Sequence, residues 1–157
     1  MPPSRPRFAI DEMLGTLARW LRIMGYDAVY EKDRSDDEII NSARAEDRIL
    51  LTRDRMLAAR MGEKGLYIAS DQLGDQLRQV WQAFGLRPEQ DLARCTVCNG
   101  ELAPMAVEKA KDLVPEGVFL MNQEFLQCQS CGKVYWRGTH WLNIKKRLAS
   151  LDPGHSL

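Results

Sequence analysis

The four cysteines of this chain form two Cys-x-x-Cys pairs, Cys95/Cys98 and Cys128/Cys131, with none left over. Each pair sets two sulfurs on one tight turn, and two such turns supply the four thiolates of a tetrahedral Zn²⁺ site. Asn99-Gly100 and Gly132 follow the pairs, and these residue types tolerate a backbone turn that brings amide N–H groups toward sulfur. Residues 99–127 separate the pairs, 29 in all, which suits a zinc ribbon with a hairpin between its knuckles. A redox Cys-x-x-Cys normally follows a strand of a thioredoxin-like unit, a context absent here. An Fe–S cluster takes the same ligands and is the other reading. A site closed by four thiolates keeps no position for water, so its role is structural. His140 is then surplus as a ligand and is expected to face solvent, a helix start or a nucleic-acid phosphate.

A second set of side chains fits a different chemistry. Asp11 follows the apolar run Phe8-Ala-Ile10, Asp54 follows Ile49-Leu-Leu-Thr-Arg53, and Asp71 follows Leu66-Tyr-Ile-Ala-Ser70. If these runs are parallel strands, their carboxyl ends share one sheet edge, where ligands bind. Asp36 or Asp37, at a predicted helix start, can join them there. Gathered carboxylates repel one another unless a cation is present, and oxygen-only ligation selects Mg²⁺ or Mn²⁺. Such an ion orients water against a phosphodiester. Each aspartate taken singly also suits a helix N-cap. Repetition at one edge, with Thr52 and Arg53 beside Asp54, favours the metal site.

The elements that would position both sets follow from periodicity. Phe8–Ile10, Ala28–Tyr30, Ile49–Leu51 and Leu66–Ala69 read as strands. Leu14, Leu17, Ala18 and Leu21 recur at helical spacing up to Gly25. Ser35-Asp-Asp-Glu38 is a helix start that puts Ile39, Ile40 and Ala43 on one face. Asp54 to Met61 forms a short helix. Leu73, Leu77, Val80, Trp81 and Phe84 stripe another, closed by Gly85 and Pro88. Alternation of this kind predicts an α/β domain over 8–90, a parallel sheet with helices on both faces. The remainder, 91–151, holds all the cysteines and ends in a helix from about His140, with Trp141, Ile144, Leu148 and Leu151 on one face.

At 45% apolar and 28% charged residues the chain has the composition of a soluble globular protein. No run approaches the ~18 apolar residues of a membrane helix, so no membrane association is expected. The Pro-rich start, Met1 to Arg7, lacks the apolar core of a secretory signal, which points to the cytoplasm. Net charge is zero, but its distribution is uneven. Lys133 to Arg147 carries five basic residues (Lys133, Arg137, Lys145, Lys146, Arg147), no acid, and Tyr135, Trp136 and Trp141. Basic side chains among aromatics suit a phosphate backbone with stacked bases. The plainer reading is a solvated helix face over core aromatics.

Several motifs together resemble a known family. They are Asp11-Glu-Met-Leu-Gly-Thr-Leu-Ala-Arg-Trp-Leu-Arg22 with Gly25-Tyr-Asp27, Ser35-Asp-Asp-Glu-Ile39 with Ala43, and Arg48-Ile-Leu-Leu-Thr-Arg-Asp54. In the cysteine half they are Arg94-Cys-x-x-Cys-Asn99, Cys128-x-x-Cys-Gly-Lys-Val-Tyr-Trp136 and Gly138-Thr-His-Trp141. The resemblance is to the PIN-like RNase domain with an attached zinc ribbon, named for the C-terminal region of the Mut-seven exonuclease. It implies a PIN-like three-layer α/β/α fold followed by a small zinc ribbon and a C-terminal helix. It also implies a metal-dependent ribonuclease acting on RNA. Carried over by position, the acids are Asp11, Asp36 and Asp54, with Asp71 as a fourth; Asp37 and Glu38 compete with Asp36. Arg19 and Arg22, one helical turn apart, would hold phosphate, as would Arg53. Lys133, Tyr135, Trp136, Arg137 and His140 would contact RNA from the ribbon, held near the acidic edge. Zinc would be structural, and Mg²⁺ or Mn²⁺ catalytic. The rival expectations are a non-catalytic RNA-binding module associated with tRNA or the ribosome, and a protein-interaction module. No oligomeric state is implied.

Overall fold

Phe8-Ala-Ile and Ile49-Leu-Leu are apolar at every position, so strands built from them need cover on both faces. The computed structural model, which describes residues 5–87 and 92–151, supplies it. β1 (Phe8–Asp11), β2 (Ala28–Glu31), β3 (Ile49–Thr52) and β4 (Gly65–Tyr67) form a parallel sheet in the order β2-β1-β3-β4. α1 (Gly15–Ile23), α2 (Asp36–Ala45), α3 (Arg55–Arg60) and α4 (Leu73–Phe84) each follow one strand. Phe8, Ile10, Ile49 and Leu51 pack with Leu17, Leu21, Leu77 and Val80 of α1 and α4. Ala9 and Leu50 face the other way, onto Ile39 and Ile40 of α2 and Leu57 of α3. The alternation of strand side chains thus sorts the helices into two layers, as the α/β reading requires.

One strand is shorter than its apolar run. β4 ends at Tyr67 rather than Ala69. The side-chain amide of Gln79 in α4 donates to the Tyr67 carbonyl (2.7 Å) and accepts from the Ala69 amide (3.3 Å). Those groups face the outer side of β4, the sheet's edge strand; toward β3 the Ile68 amide still donates to Thr52 (2.7 Å), but the Ile68 carbonyl accepts from Arg53 (3.4 Å), so the ladder stops there.

The second half holds an antiparallel sheet, β5 (Leu102–Met105), β6 (Phe125–Cys128) and β7 (Val134–Tyr135), in that order. The expected hairpin between the cysteine pairs is β5–β6, in register from Leu102↔Cys128 to Met105↔Phe125. Its connection is not a simple loop: α5 (Val107–Ala110) and α6 (Glu116–Met121) lie within it. α7 (Thr139–Leu151) closes the described chain. Trp141 and Leu148 of α7 are buried in the same cluster as α1 and α4, and the Arg147 guanidinium lies 5.1 Å over the Trp20 ring. The terminal helix therefore completes the core of the first half. The first four residues, Pro88, the 90/91 boundary and the side chain of Leu151 lie outside the described residues.

The docking of the two halves corrects one expectation. The cysteine half meets the parallel sheet at its amino edge, because Asp27, the residue just before β2, and the Ala28 amide at the start of β2 both bind Asn99. The segment from Lys133 therefore begins at the edge opposite the carboxyl ends, and α7 runs back along α1. Four-residue strands separate the two edges by about 13 Å.

Candidate metal centre and acidic sheet edge

Two tight turns bring the cysteines together. Asn99 (φ 71°) and Gly132 (φ 82°) take the left-handed conformation directly after each pair. A Cβ on Gly100 would sit 2.7 Å from the Cys128 Sγ, so only glycine lets the first turn pass the sulfur. The four sulfurs all lie within 4.8 Å of one another, with Cys95–Cys131 at 3.7 Å and Cys98–Cys128 at 3.4 Å. Tetrahedral Zn–S bonds of about 2.3 Å place sulfurs about 3.8 Å apart, so the set can bind a metal ion such as zinc.

The amides of Ser130 and Cys131 both point at the Cys128 Sγ (3.4 Å each), and the Tyr135 hydroxyl lies 3.0 Å from the Cys95 Sγ. Burial pushes the Cys128 thiol up, but those amides outweigh it and bring it down to about 6. Burial and the neighbouring thiols push Cys98 up to about 12. Cys128 and Cys98 are thus driven in opposite directions. A dication removes that conflict by stabilising every thiolate.

The first turn is bolted to the sheet by a buried polar network. Arg22 is only 7% exposed and donates to the carbonyls of Ala28 (2.8 Å), Thr96 (3.0 Å) and Val97 (3.2 Å). Asn99 accepts from the Ala28 amide (3.0 Å) and donates to Asp27 (2.7 Å). Asp27 also binds buried Arg48 at 2.7 Å. Burial alone would raise the Asp27 pKa, but hydrogen bonds from Arg48 and Asn99 and the charges of Arg48 and Arg94 hold it below its ordinary 3.8. A depressed carboxylate contributes stability above its unfolded pKa and loses it as pH falls through the folded one. Asp27→Ala is expected to cost about 3 kcal/mol in urea unfolding near neutral pH, since it takes from buried Arg48 its nearest carboxylate, leaving only the more exposed Glu46 at 3.2 Å, and leaves Asn99 without its acceptor. The gap between variant and wild type should close below pH 3.8. A gap that stays constant into acid would refute this role.

At the carboxyl edge, Asp11 accepts from the Glu12 amide (2.9 Å) with one oxygen and from the Thr52 hydroxyl (2.7 Å) with the other. The fully buried Thr52 hydroxyl in turn accepts from the Asp54 amide (3.0 Å). Asp54 caps α3 with one oxygen, accepting from Met56 (2.9 Å) and Leu57 (3.1 Å). α2 is capped by Ser35 in a reciprocal box with Glu38, and Asp37 pairs with Arg60. Asp36 is left exposed, with no side-chain partner among the described residues. Asp71 stands in the bend before α4 and accepts from Gln72 (3.0 Å). Among the described residues the cysteines are the one set of three or more His, Cys, Asp or Glu close enough to share an ion.

One residue of this edge escaped the sequence reading. Glu31 ends β2 in register with Asp11, is 5% exposed, and pairs with Arg34 at 2.7 Å. Its signal was its place after Ala28-Val-Tyr30, the same place Asp11 holds after its own run.

The residues expected to bind RNA divide. Arg22 is removed from that role, because its guanidinium is buried at the amino edge and bonded to three carbonyls. The Tyr135 hydroxyl is likewise turned inward to Cys95. Arg53 braces the turn after β4 through the carbonyls of Ile68 (3.4 Å) and Ala69 (3.3 Å). Arg137 pairs with Glu124 at 2.7 Å. Arg19, Lys133, Trp136 and His140 line a common groove of ≈ 200 Å³.

No helix among the described residues is long and apolar enough to cross a membrane. No curated protein and no solved structure matches the chain. A family model does match, over residues 6–148, from the strand that carries Asp11 through both cysteine pairs to α7, and the chain belongs to that family, the Mut7-C RNAse domain.

Proposed function

We propose that this protein is a cytoplasmic, metal-dependent ribonuclease that hydrolyses RNA phosphodiesters at the carboxyl edge of its parallel sheet. In this reading residues 8–90 are a PIN-like unit, and residues 91–151 are a zinc ribbon with a terminal helix that assists RNA binding. The observation that carries it is the Thr52 hydroxyl, which ties the Asp11 carboxylate to the start of the Asp54 turn, in a chain of an RNase family. Asp11 and Asp54 offer oxygen donors, which suit Mg²⁺ or Mn²⁺. They do not form a closed carboxylate cage. Mg²⁺ commonly takes only one or two carboxylates and keeps waters and substrate phosphates as its other ligands. The second Asp54 oxygen carries no hydrogen bond among the described residues, and Asp36 is uncommitted. Asp71 is the fourth acid of the reading. A bound ion would supply an activated water and offset charge on the phosphate. Thr52 keeps Asp11 oriented, while Arg53 holds the adjoining turn. Four thiolates suit zinc in a structural role, and such thiols persist reduced in the cytoplasm.

Purified protein should cleave RNA when Mn²⁺ is added, and Asp11→Asn should not. Wild-type rates in that variant would sink the assignment. A second reading, a non-catalytic RNA-binding module, draws on one fact: Asp11 and Asp54 both serve as helix caps. It predicts salt-sensitive RNA binding without cleavage under any divalent ion.

A further inference from the structure

The groove between α1, the first cysteine turn and α7 is unlike the rest of the surface. Arg19, Lys133 and His140 supply its basic side chains, Tyr135, Trp136 and Trp141 its aromatic ones, and no acid lines it. Arg19 is exposed and has no ion-pair partner among the described residues. Trp136 is half-buried, with Gly138 passing close to its ring, where a Cβ would come within 3.3 Å. α7 begins beside the groove with no acidic residue in its first turn, so its positive end is not neutralised. The volume, ≈ 200 Å³, falls below the ~300–1,000 Å³ of drug-sized pockets. That is room for one base with its sugar, not for an extended ligand.

We propose that this groove binds one unpaired nucleotide of RNA, with the base stacked on Trp136 and its phosphate held by Arg19, Lys133 and His140. This deepens the ribonuclease reading and rests on it for the identity of the nucleic acid. Thr96 and Ile23 wall the groove, so it opens at the amino edge of the sheet, opposite Asp11 and Asp54. A strand that fills both sites runs along α1, across about 13 Å of sheet. The protein therefore grips its substrate several nucleotides away from the bond it cuts. A duplex cannot offer an unstacked base to the groove, so single strands are preferred.

The test is fluorescence anisotropy on the full, zinc-loaded chain without added Mg²⁺ or Mn²⁺. The probes are a labelled oligouridylate of about 12 nucleotides, within the site sizes of single-strand grooves, and a blunt-ended RNA duplex without a loop. Trp136→Ala and Arg19→Glu should each weaken oligouridylate binding about tenfold, the scale of one lost stacking or charge contact. Trp136→Phe should restore most of the loss, and the duplex should bind weakly to every form. Arg19 is exposed, so Arg19→Glu reports on binding even if Trp136→Ala misfolds. The proposal is overturned if Arg19→Glu binds as wild type does, if the duplex loses as much, or if wild type binds neither RNA. Cleavage by Asp11→Asn at the wild-type rate would instead remove the ribonuclease reading and leave the groove result standing.

Discussion

Cys128→Ser is expected to unfold the antiparallel sheet while leaving the parallel sheet protected. The second half buries little on its own: Phe125, Leu126 and Ala110 are its main buried apolar side chains apart from the cysteines and α7. A core of that size does not hold a fold without a staple. Apparent zinc-binding energies of about 10–16 kcal/mol in small zinc modules are folding energies, and removing one of four thiolates forfeits much of that. The parallel sheet has its own core, from Phe8 to Leu86, in which no cysteine takes part. Hydrogen exchange read by mass spectrometry should show β5, β6 and β7 and the first cysteine turn losing protection, with β1 and β3 unchanged. α7 should resist longer, because Trp141 and Leu148 are held by α1 and α4. Chelation should reproduce this pattern, and added zinc should reverse it. Unchanged exchange in β6 and β7 after metal removal would show that the cysteines hold nothing together.

Asp54→Asn is expected to lower RNA cleavage by about 10²–10⁴-fold, the range seen when a group essential to proton transfer or its organisation is removed, with almost no change in melting temperature. The split is the informative part. Asn caps helices about as well as Asp, so the bonds from Met56 and Leu57 survive and α3 keeps its start. The substitution removes charge while preserving shape. Asp11→Asn removes the same charge but keeps one acceptor oxygen where Asp11 uses two, so it can hold the Thr52 bond only by giving up the one from the Glu12 amide, and a small drop in melting temperature accompanies the loss of cleavage. If melting is unchanged and cleavage persists in both variants, the aspartates are caps and nothing more. If both fall together with stability, the loss is structural and the charge argument fails. Activity measured beside thermal melting of the same preparations separates these cases.

Much of this organisation is written locally. The place of Asp11 at a strand end was legible because it follows the apolar run Phe8-Ala-Ile10 within a strand-helix alternation; its register with β2 and β3 is a feature of the structure. The end of β4 was not legible, because it depends on side chains from other segments, Arg53 on the Ile68 carbonyl and Gln79 on the outer backbone groups of Tyr67 and Ala69. Arg19 and Arg22 look alike in the sequence, one turn apart on the same helix. One is exposed in the groove and the other is buried against the first cysteine turn.

The cysteine centre shows where that boundary lies. Two short spacings with their glycines determined it, because a tight turn carrying two thiols is a local property of a few residues. The edge of the sheet that receives it was decided only by tertiary structure. The bond from Asn99 to Asp27 joins residues 72 positions apart, and its partner Arg48 comes from a third segment. No local pattern encodes such a meeting; it arises when buried donors and acceptors must all find partners in one packed arrangement.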